Sequence, residues 1–436
     1  MTFTAPPLDP YLVGRADPHL SISHYDIELD YKVSTNRLDA VARLTGTANA
    51  ELDKIVLSLA NLRVAKVLVN GSKPARWTHR GGVLTIRLAN RLPDGRGFTV
   101  IVTYAGSPGP LIGPWGDVGW EELTDGVIVA GQPDGAPSWI PCHDHPSDKA
   151  SFRFAISAES SYTVVANGEL TSRTARAGRV RWVYEQRAPM ATYLATVQIG
   201  RYSAVSIGDG PIPQRLFVPP RLRAVAVKEF GRQPEMIALF ERDFGPYPFD
   251  DYSVVIADDD LEIPLEAQGL SVFGANHADG TGAGERLIAH ELAHQWFGNS
   301  LTVGRWQDIW MHEGFACYAE WLWFEQSGAG TADEHARETH ARLSGLPQDF
   351  AIGDPGPDLM FDDRLYKRGA LTLHAVRLTM GDAAFFAMLR NWTERYRHST
   401  VSTAAFVGHA SSASGHPLGS LFKAWLDTHQ LPALPA

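Results

Sequence analysis

The sequence is poor in cysteine, in positive charge and in long apolar runs, and each shortage excludes a class of protein. Two cysteines, Cys142 and Cys317, cannot form a disulfide framework or a four-thiolate zinc site. A net charge of −10 argues against nucleic acid or an anionic membrane as the main partner, because both attract clustered positive charge. No apolar run approaches the length of a membrane span, and residues 1–20 lack the features of a signal peptide. We therefore expect a globular, cytoplasmic protein with more than one domain.

What is present divides into two patterns along the 436 residues. In the first, segments such as HYDIELDYKV and FTVIVTYAG alternate β-branched or aromatic residues with polar ones, and Asn-Gly and Asp-Gly turns separate them. Glycines and prolines cluster in residues 208–220 and predict a boundary near residue 206. Beyond it a strand is expected from Tyr252, and helices are expected at 221–244, 285–297, 308–326, 366–380, 382–397 and 417–430. The prediction is an N-terminal antiparallel β-sandwich-like domain (1–206) followed by a mostly helical α+β domain (207–436).

One of these helices carries the spacing of a metal site. His290-Glu291-Leu292-Ala293-His294 is an H-E-x-x-H motif, whose two histidines lie on one face of a helix. Glu291 is rotated about 100° from His290, so it is placed to hold a water rather than the ion itself. Chance produces such a motif in roughly a few per cent of chains of this composition. A third ligand elsewhere in the chain is needed to distinguish a metal site from a chance match.

Glu313 supplies that ligand from the next predicted helix. A loop of about ten residues would let this helix pack back on the first and present the carboxylate to the two histidines. Two histidines and one carboxylate, with the fourth position left for water, form the donor set of catalytic zinc, whereas structural sites close all four positions. The residues therefore predict one catalytic Zn²⁺ per chain, held by His290, His294 and Glu313.

Several segments in the same order resemble one family. HELAHQWFGN followed by WMHEGFACYAE resembles the zinc site of the aminopeptidase N family of zinc exopeptidases (gluzincins), which includes leukotriene hydrolase. Matching segments lie at 132–152, 262–270 and 366–369, and the tail FKAWLDTHQLP resembles the end of that family's catalytic domain. The resemblance covers essentially the whole chain and implies a thermolysin-like catalytic domain. It also indicates a two-domain form without the family's C-terminal helical domain, for which we expect a more open cleft.

The resemblance implies a role for each matching residue. Glu291 would be the general base, and Tyr366 would donate a hydrogen bond to the oxyanion. Glu266 and Gln132 would accept the N–H groups of a free α-ammonium and so direct cleavage to the first peptide bond. The residues around Glu266 differ from the family's Gly-Ala-Met-Glu-Asn motif. Glu320, two helical turns after the third zinc ligand, would hydrogen-bond a ligand histidine and orient it.

Two polar groups near these motifs are interpreted as structural. The run from Cys142 to His145 falls inside the β-domain signature and is expected to pack there rather than to bind a second metal. His312 precedes a zinc ligand but points in a different direction on the helix, so it is interpreted as packing.

The function predicted is a zinc-dependent aminopeptidase acting on peptides with a free N-terminus, without nucleic acid or membrane partners. A thermolysin-like endopeptidase, an epoxide hydrolase of the leukotriene type and a non-enzymatic scaffold remain alternatives. Glu266 and Gln132 argue against the endopeptidase, which needs no site for a free amine. The expected lack of a C-terminal domain argues against the epoxide hydrolase. The full set of predicted ligands and catalytic residues argues against the scaffold. The preferred first residue and the oligomeric state do not follow from the sequence.

Overall fold

The computed structural model describes residues 9–12 and 16–435. Contacts divide the chain into a first unit, Met1–Ser206 with Arg215–Ala224 and Asp250–Ala278, and a second, Ile207–Gln214 with Val225–Phe249 and Asp279–Ala436. The ranges predicted from the sequence, 1–206 and 207–436, place residues 215–224 and 250–278 in the second domain, whereas the contacts place them in the first unit. Residues 215–224 and 250–278 group with the first unit because they contribute strands to a sheet that begins there.

The first unit is built from strands whose side chains alternate between buried and exposed, as the period of two in the sequence predicts. The strands up to residue 273 are β1 (Leu20–Lys32), β2 (Arg37–Ala48), β3 (Leu52–Ser58), β4 (Arg63–Val69), β5 (Arg76–Arg80), β6 (Val83–Leu92), β7 (Gly97–Gly106), β8 (Leu111–Gly113), β9 (Gly116–Leu123), β10 (Gly126–Ala130), β11 (Ala150–Glu159), β12 (Thr163–Ala166), β13 (Glu169–Arg176), β14 (Arg179–Met190), β15 (Val197–Gly200), β16 (Ser203–Ser206), β17 (Gln214–Val218), β18 (Tyr252–Ile256), β19 (Leu265–Ala267) and β20 (Leu270–Phe273).

These strands form four sheets, which are mainly antiparallel. The largest has the order β13-β14-β11-β1-β2-β7-β4, and only its β1–β11 pair is parallel among the pairs described within it. The others are β12-β15-β10-β9-β8, β3-β6-β5 and β16-β17-β18-β20-β19. Buried aromatic rings fill the space beside the largest sheet: Tyr25, Trp120, Trp139, Phe152 and Phe154. The predicted β-rich N-terminal domain is confirmed.

The second unit is mostly helical, also as predicted. The helices are α1 (Arg223–Glu229), α2 (Gln233–Phe244), α3 (Glu285–Ala293), α4 (Trp310–Ser327), α5 (Ala332–Ser344), α6 (Asp363–Met380), α7 (Asp382–Arg395), α8 (Thr403–Ser414) and α9 (Gly419–Leu426). A short parallel pair, β21 (Thr302–Val303) and β22 (Thr400–Val401), lies among them. In the part of the chain that the structure describes, no helix is long and apolar enough to cross a bilayer.

Two local differences from the predicted helices have physical causes. The helix expected over 221–244 is broken between α1 and α2, where Gly231 weakens the helix and Pro234 is tolerated because it lies in the first turn of α2. Helix α5 is absent from the predicted set because its sequence is largely polar and offers few apolar residues to mark a buried face. It begins with a capping box, in which Thr331 and Glu334 each accept the other's backbone N–H.

Helices α4 and α6 approach each other unusually closely at two glycines. A Cβ atom on Gly314 would lie 2.8 Å from the Cα of Gly369, and one on Gly369 would lie 2.7 Å from the Cα of Gly314. Only residues without a side chain permit this backbone contact. The contact matters for the site because Glu313 is the neighbour of one glycine and Tyr366 lies one helical turn before the other.

Candidate active site

The side chains of the three predicted ligands converge between α3 and α4 in the second unit. The Nε2 atoms of His290 and His294 each lie 3.4 Å from Oε2 of Glu313. One ligand atom from each of the three residues lies within 4.8 Å of the other two. All three residues are buried. The geometry is that of three donors arranged around one point.

Each imidazole is oriented by a hydrogen bond at its other nitrogen. Nδ1 of His290 lies 2.8 Å from Oε1 of Glu320, and Nδ1 of His294 lies 3.0 Å from the carbonyl oxygen of Phe297. A carbonyl can only accept, so Nδ1 of His294 carries a proton and its Nε2 is the nitrogen that faces Glu313. The same arrangement at His290, with Glu320 as acceptor, directs both Nε2 atoms towards Glu313.

The imidazoles and carboxylates of the site stabilise each other's charged forms. Burial alone would lower the pKa of His290, but hydrogen bonds with Glu313 and Glu320 outweigh it and raise this pKa to about 9. Burial would raise the pKa of Glu313, but the charge of His294 and hydrogen bonds from both imidazoles hold it well below its usual range. A divalent cation at the Nε2 atoms would displace the proton, since metal ligands bind in their deprotonated form.

Glu291 differs from the three ligands in its surroundings. Burial raises the pKa of its carboxyl group, although the two neighbouring imidazoles oppose the shift. Its Oε2 is buried and has no hydrogen-bond partner among the described residues. A buried acceptor of this kind is unfavourable unless something binds it. The donor set and this buried oxygen together fit a zinc centre with a carboxylate placed to hold water.

Tyr366 lies beside the ligands on α6. Its ring is nearly parallel to that of His290, at an interplanar angle of 14° and a centroid distance of 6.1 Å. The residue as a whole is half-buried. The close packing of α6 on α4 brings this tyrosine to the ligands, although it lies 53 positions after Glu313 in the chain.

Gln132 and Glu266 meet within the first unit. Gln132 follows β10, and Glu266 lies on β19, opposite Ser271 of β20. Nε2 of Gln132 donates a hydrogen bond of 2.5 Å to Oε1 of Glu266, across 134 positions of sequence. Glu266 falls within the range predicted for the helical domain (207–436), whereas its strand groups with the first unit.

The polar groups interpreted as structural make internal contacts. Nδ1 of His143 lies 2.5 Å from Oδ2 of Asp148, and the hydroxyl group of Thr192 donates to Oδ1 of Asp144 at 2.8 Å. Nε2 of His312 accepts the backbone N–H of Val303 at 2.9 Å. Of the described residues, those of the Cys142–His145 run belong to no group with metal-ligand geometry.

Comparison with known proteins agrees with this fold and site. The model of the peptidase M1 N-terminal domain matches residues 21–194, and that of the peptidase family M1 domain matches residues 229–425. The crystal structure of an M1 zinc metallopeptidase from Deinococcus radiodurans superposes with a TM-score of 0.90 at 31% identity, over 98% of this chain and 99% of that one. A mutant of that enzyme bound to a Tyr-Ser-Ala substrate gives a TM-score of 0.89 at 30% identity, with the same coverage.

Longer relatives match over part of their length. A leucyl aminopeptidase of Saccharolobus solfataricus is 22% identical over 93% of this chain and 53% of its own. Aminopeptidase M1-A of Oryza sativa is 26% identical over 81% of this chain and 43% of its own. The chain thus spans about half the length of these curated relatives.

The fold resembles that of the M1 zinc metallopeptidase structures, and His290, His294 and Glu313 have the geometry of a three-ligand metal site. The chain belongs to peptidase family M1.

Proposed function

We propose that this protein is a zinc-dependent aminopeptidase that removes the N-terminal residue from peptides. The observation that supports this most strongly is the convergence of His290, His294 and Glu313, with Glu291 buried beside them. The aminopeptidase activity of its curated relatives and the tripeptide bound to its structural neighbour support the same substrate class.

The residues of the second unit have distinct tasks in this proposal. Zn²⁺, when bound by the three ligands, acts as a Lewis acid that polarises the scissile carbonyl group and acidifies a water. Glu291 takes a proton from the attacking water and transfers it to the leaving amine, a task that its raised pKa favours. The hydroxyl group of Tyr366 donates a hydrogen bond to the oxyanion that develops on the substrate.

The residues of the first unit bind the substrate amine in this proposal. Glu266 provides a carboxylate for the α-ammonium group, and Gln132 uses its N–H group on Glu266, which leaves its carbonyl oxygen to accept a second substrate N–H. Charge-assisted hydrogen bonds of this kind are among the stronger ones. A peptide whose amine is blocked would lose them, so such a site selects a free N-terminus.

The test compares unblocked aminoacyl aryl-amides with the same compounds acetylated at the amine. Hydrolysis of the unblocked set alone would support the proposal and also show which first residue is preferred. Hydrolysis of both sets at similar kcat/KM would replace it with a thermolysin-like endopeptidase. Hydrolysis of neither set by the zinc-loaded protein would contradict peptidase activity on these substrates. Glu291→Gln protein serves as the control for a contaminating peptidase.

The cytoplasmic location expected from the composition stays a prediction. Cell fractionation of the source organism, with the activity followed on the preferred substrate, would test it.

A further inference from the structure

A lysine next to Tyr366 contacts the carboxylate that orients a zinc ligand. Lys367 lies on α6, and its side chain is 15% exposed. Its Nζ lies 3.7 Å from Oε2 of Glu320 and 3.1 Å from Sγ of Cys317. Both partners lie on α4, the helix that carries Glu313. The family resemblance assigned no role to this lysine.

The two oxygens of Glu320 have different partners. Oε1 receives the hydrogen bond from His290 at 2.8 Å and also lies 3.1 Å from Nη1 of Arg286. Oε2 lies 3.7 Å from Nζ of Lys367. The side chain of Arg286 is 47% exposed and that of Glu320 only 2%. Solvent screens exposed charges more than buried ones. The attraction between Lys367 and Glu320 is therefore screened less than that between Arg286 and Glu320, which offsets the longer distance of the lysine.

Cys317 restrains the lysine at this position. Burial raises the pKa of its thiol to about 12, with the charge of Glu320 adding to the effect, so the sulfur stays protonated and neutral. Nζ of Lys367 therefore donates to a neutral sulfur acceptor and keeps its own positive charge for Glu320. The lysine bridges the thiol and the carboxylate, which are three positions apart on one face of α4.

We propose that Lys367 is a positioning residue of the metal centre: it holds Glu320 in the orientation in which His290 presents Nε2 to zinc. The argument rests on the proposed zinc centre. Removing the lysine would take the less exposed of two cations away from a buried carboxylate, and Glu320 would rotate towards Arg286 or lose part of its hydrogen bond to His290. Loss of such outer contacts typically weakens metal binding by about 10–100-fold.

The test measures zinc affinity of the full-length protein by competition with a chelator at fixed pH. Lys367→Met should bind Zn²⁺ about tenfold or more weakly than the wild type, and Lys367→Arg should recover most of the loss because it restores the charge. Lys423→Met, on α9, is the matched control: it removes an exposed lysine and should leave zinc affinity unchanged. Replacement of zinc by Co²⁺ gives a second readout, since the visible absorption of Co²⁺ reports ligand geometry and should shift in Lys367→Met.

The outcomes separate this inference from the proposed function. A wild-type protein that fails to bind zinc would overturn the metal centre itself. A wild-type protein that binds zinc, with Lys367→Met matching it in affinity and in the Co²⁺ spectrum, would overturn the role of Lys367 alone. If circular dichroism shows that Lys367→Met is unfolded, Lys367→Gln, which keeps a polar group for Cys317 but has no charge, is measured and interpreted in the same way.

Discussion

One methyl group added at Gly369 should separate the two helices that carry the candidate site. The new Cβ of Gly369→Ala would lie 2.7 Å from the Cα of Gly314 and 3.4 Å from the carbonyl oxygen of Trp310. Carbon atoms in contact prefer about 3.5–4.0 Å, so α4 and α6 would have to move apart by about 1 Å. The obstacle is backbone, which cannot rotate out of the way as a side chain can.

The effects on stability and on catalysis should differ in size. Overpacking costs about 1–3 kcal/mol, and the higher helix propensity of alanine offsets about 1 kcal/mol of it. The net loss of unfolding free energy should therefore be about 0–2 kcal/mol. Activity should fall more, because Tyr366 and Glu313 flank this contact on their helices and a displacement of about 1 Å can cost about 10²-fold in rate.

Gly408→Ala provides the matched control. Gly408 lies within α8, and a Cβ atom there would have no atom within 4 Å apart from its chain neighbours and the backbone of its own helix. This variant should gain about 1 kcal/mol of stability and keep its activity. The measurements are kcat/KM on an unblocked aminoacyl aryl-amide, zinc content, and urea unfolding of both variants. If Gly369→Ala gained stability as the control does and kept wild-type kcat/KM, the α4–α6 contact would not position the site.

Three further changes test other parts of the molecule. Glu291→Gln should retain zinc but lose about 10²–10⁴ in kcat; near-normal turnover with zinc bound would contradict its role as general base. Glu266→Ala should raise KM and lower kcat/KM for unblocked substrates with unchanged zinc content, and an unaltered kcat/KM would remove it from the amine site. Burial lowers the pKa of His143, but the charge and hydrogen bond of Asp148 outweigh it and raise this pKa above its ordinary value of 6.5. The stabilisation from this pair is therefore complete below about pH 6.5 and is lost as the pH rises through the raised, folded-state value. The difference in Tm between wild type and His143→Gln should shrink from pH 6 to pH 9, and a difference that stays constant would contradict this linkage.

The convergence of His290, His294 and Glu313 could be predicted because these residues lie close together in sequence on regular helices. The four-residue spacing of His290 and His294 places both on one face of a helix whatever surrounds it. Glu313 needed only a short connection and a second helix to reach them. The order of β and helical segments followed from hydrophobic periods of two and of 3.6 residues, which reflect local geometry. Such features depend on the nearest neighbours in the chain, so the sequence shows them directly.

Contacts between distant segments were decided by the tertiary structure. Glu266 groups with the first unit because its strand, β19, belongs to the same sheet as β16, β17 and β18. No local sequence pattern indicates which strands share a sheet. The glycine contact between α4 and α6 joins positions 55 residues apart, and nothing in the sequence around either glycine indicates the other as its partner. Lys367 likewise acquires a partner only when α6 packs on α4. Periodicity shows which face of an element is buried, but the partner of that face depends on how all the elements pack together.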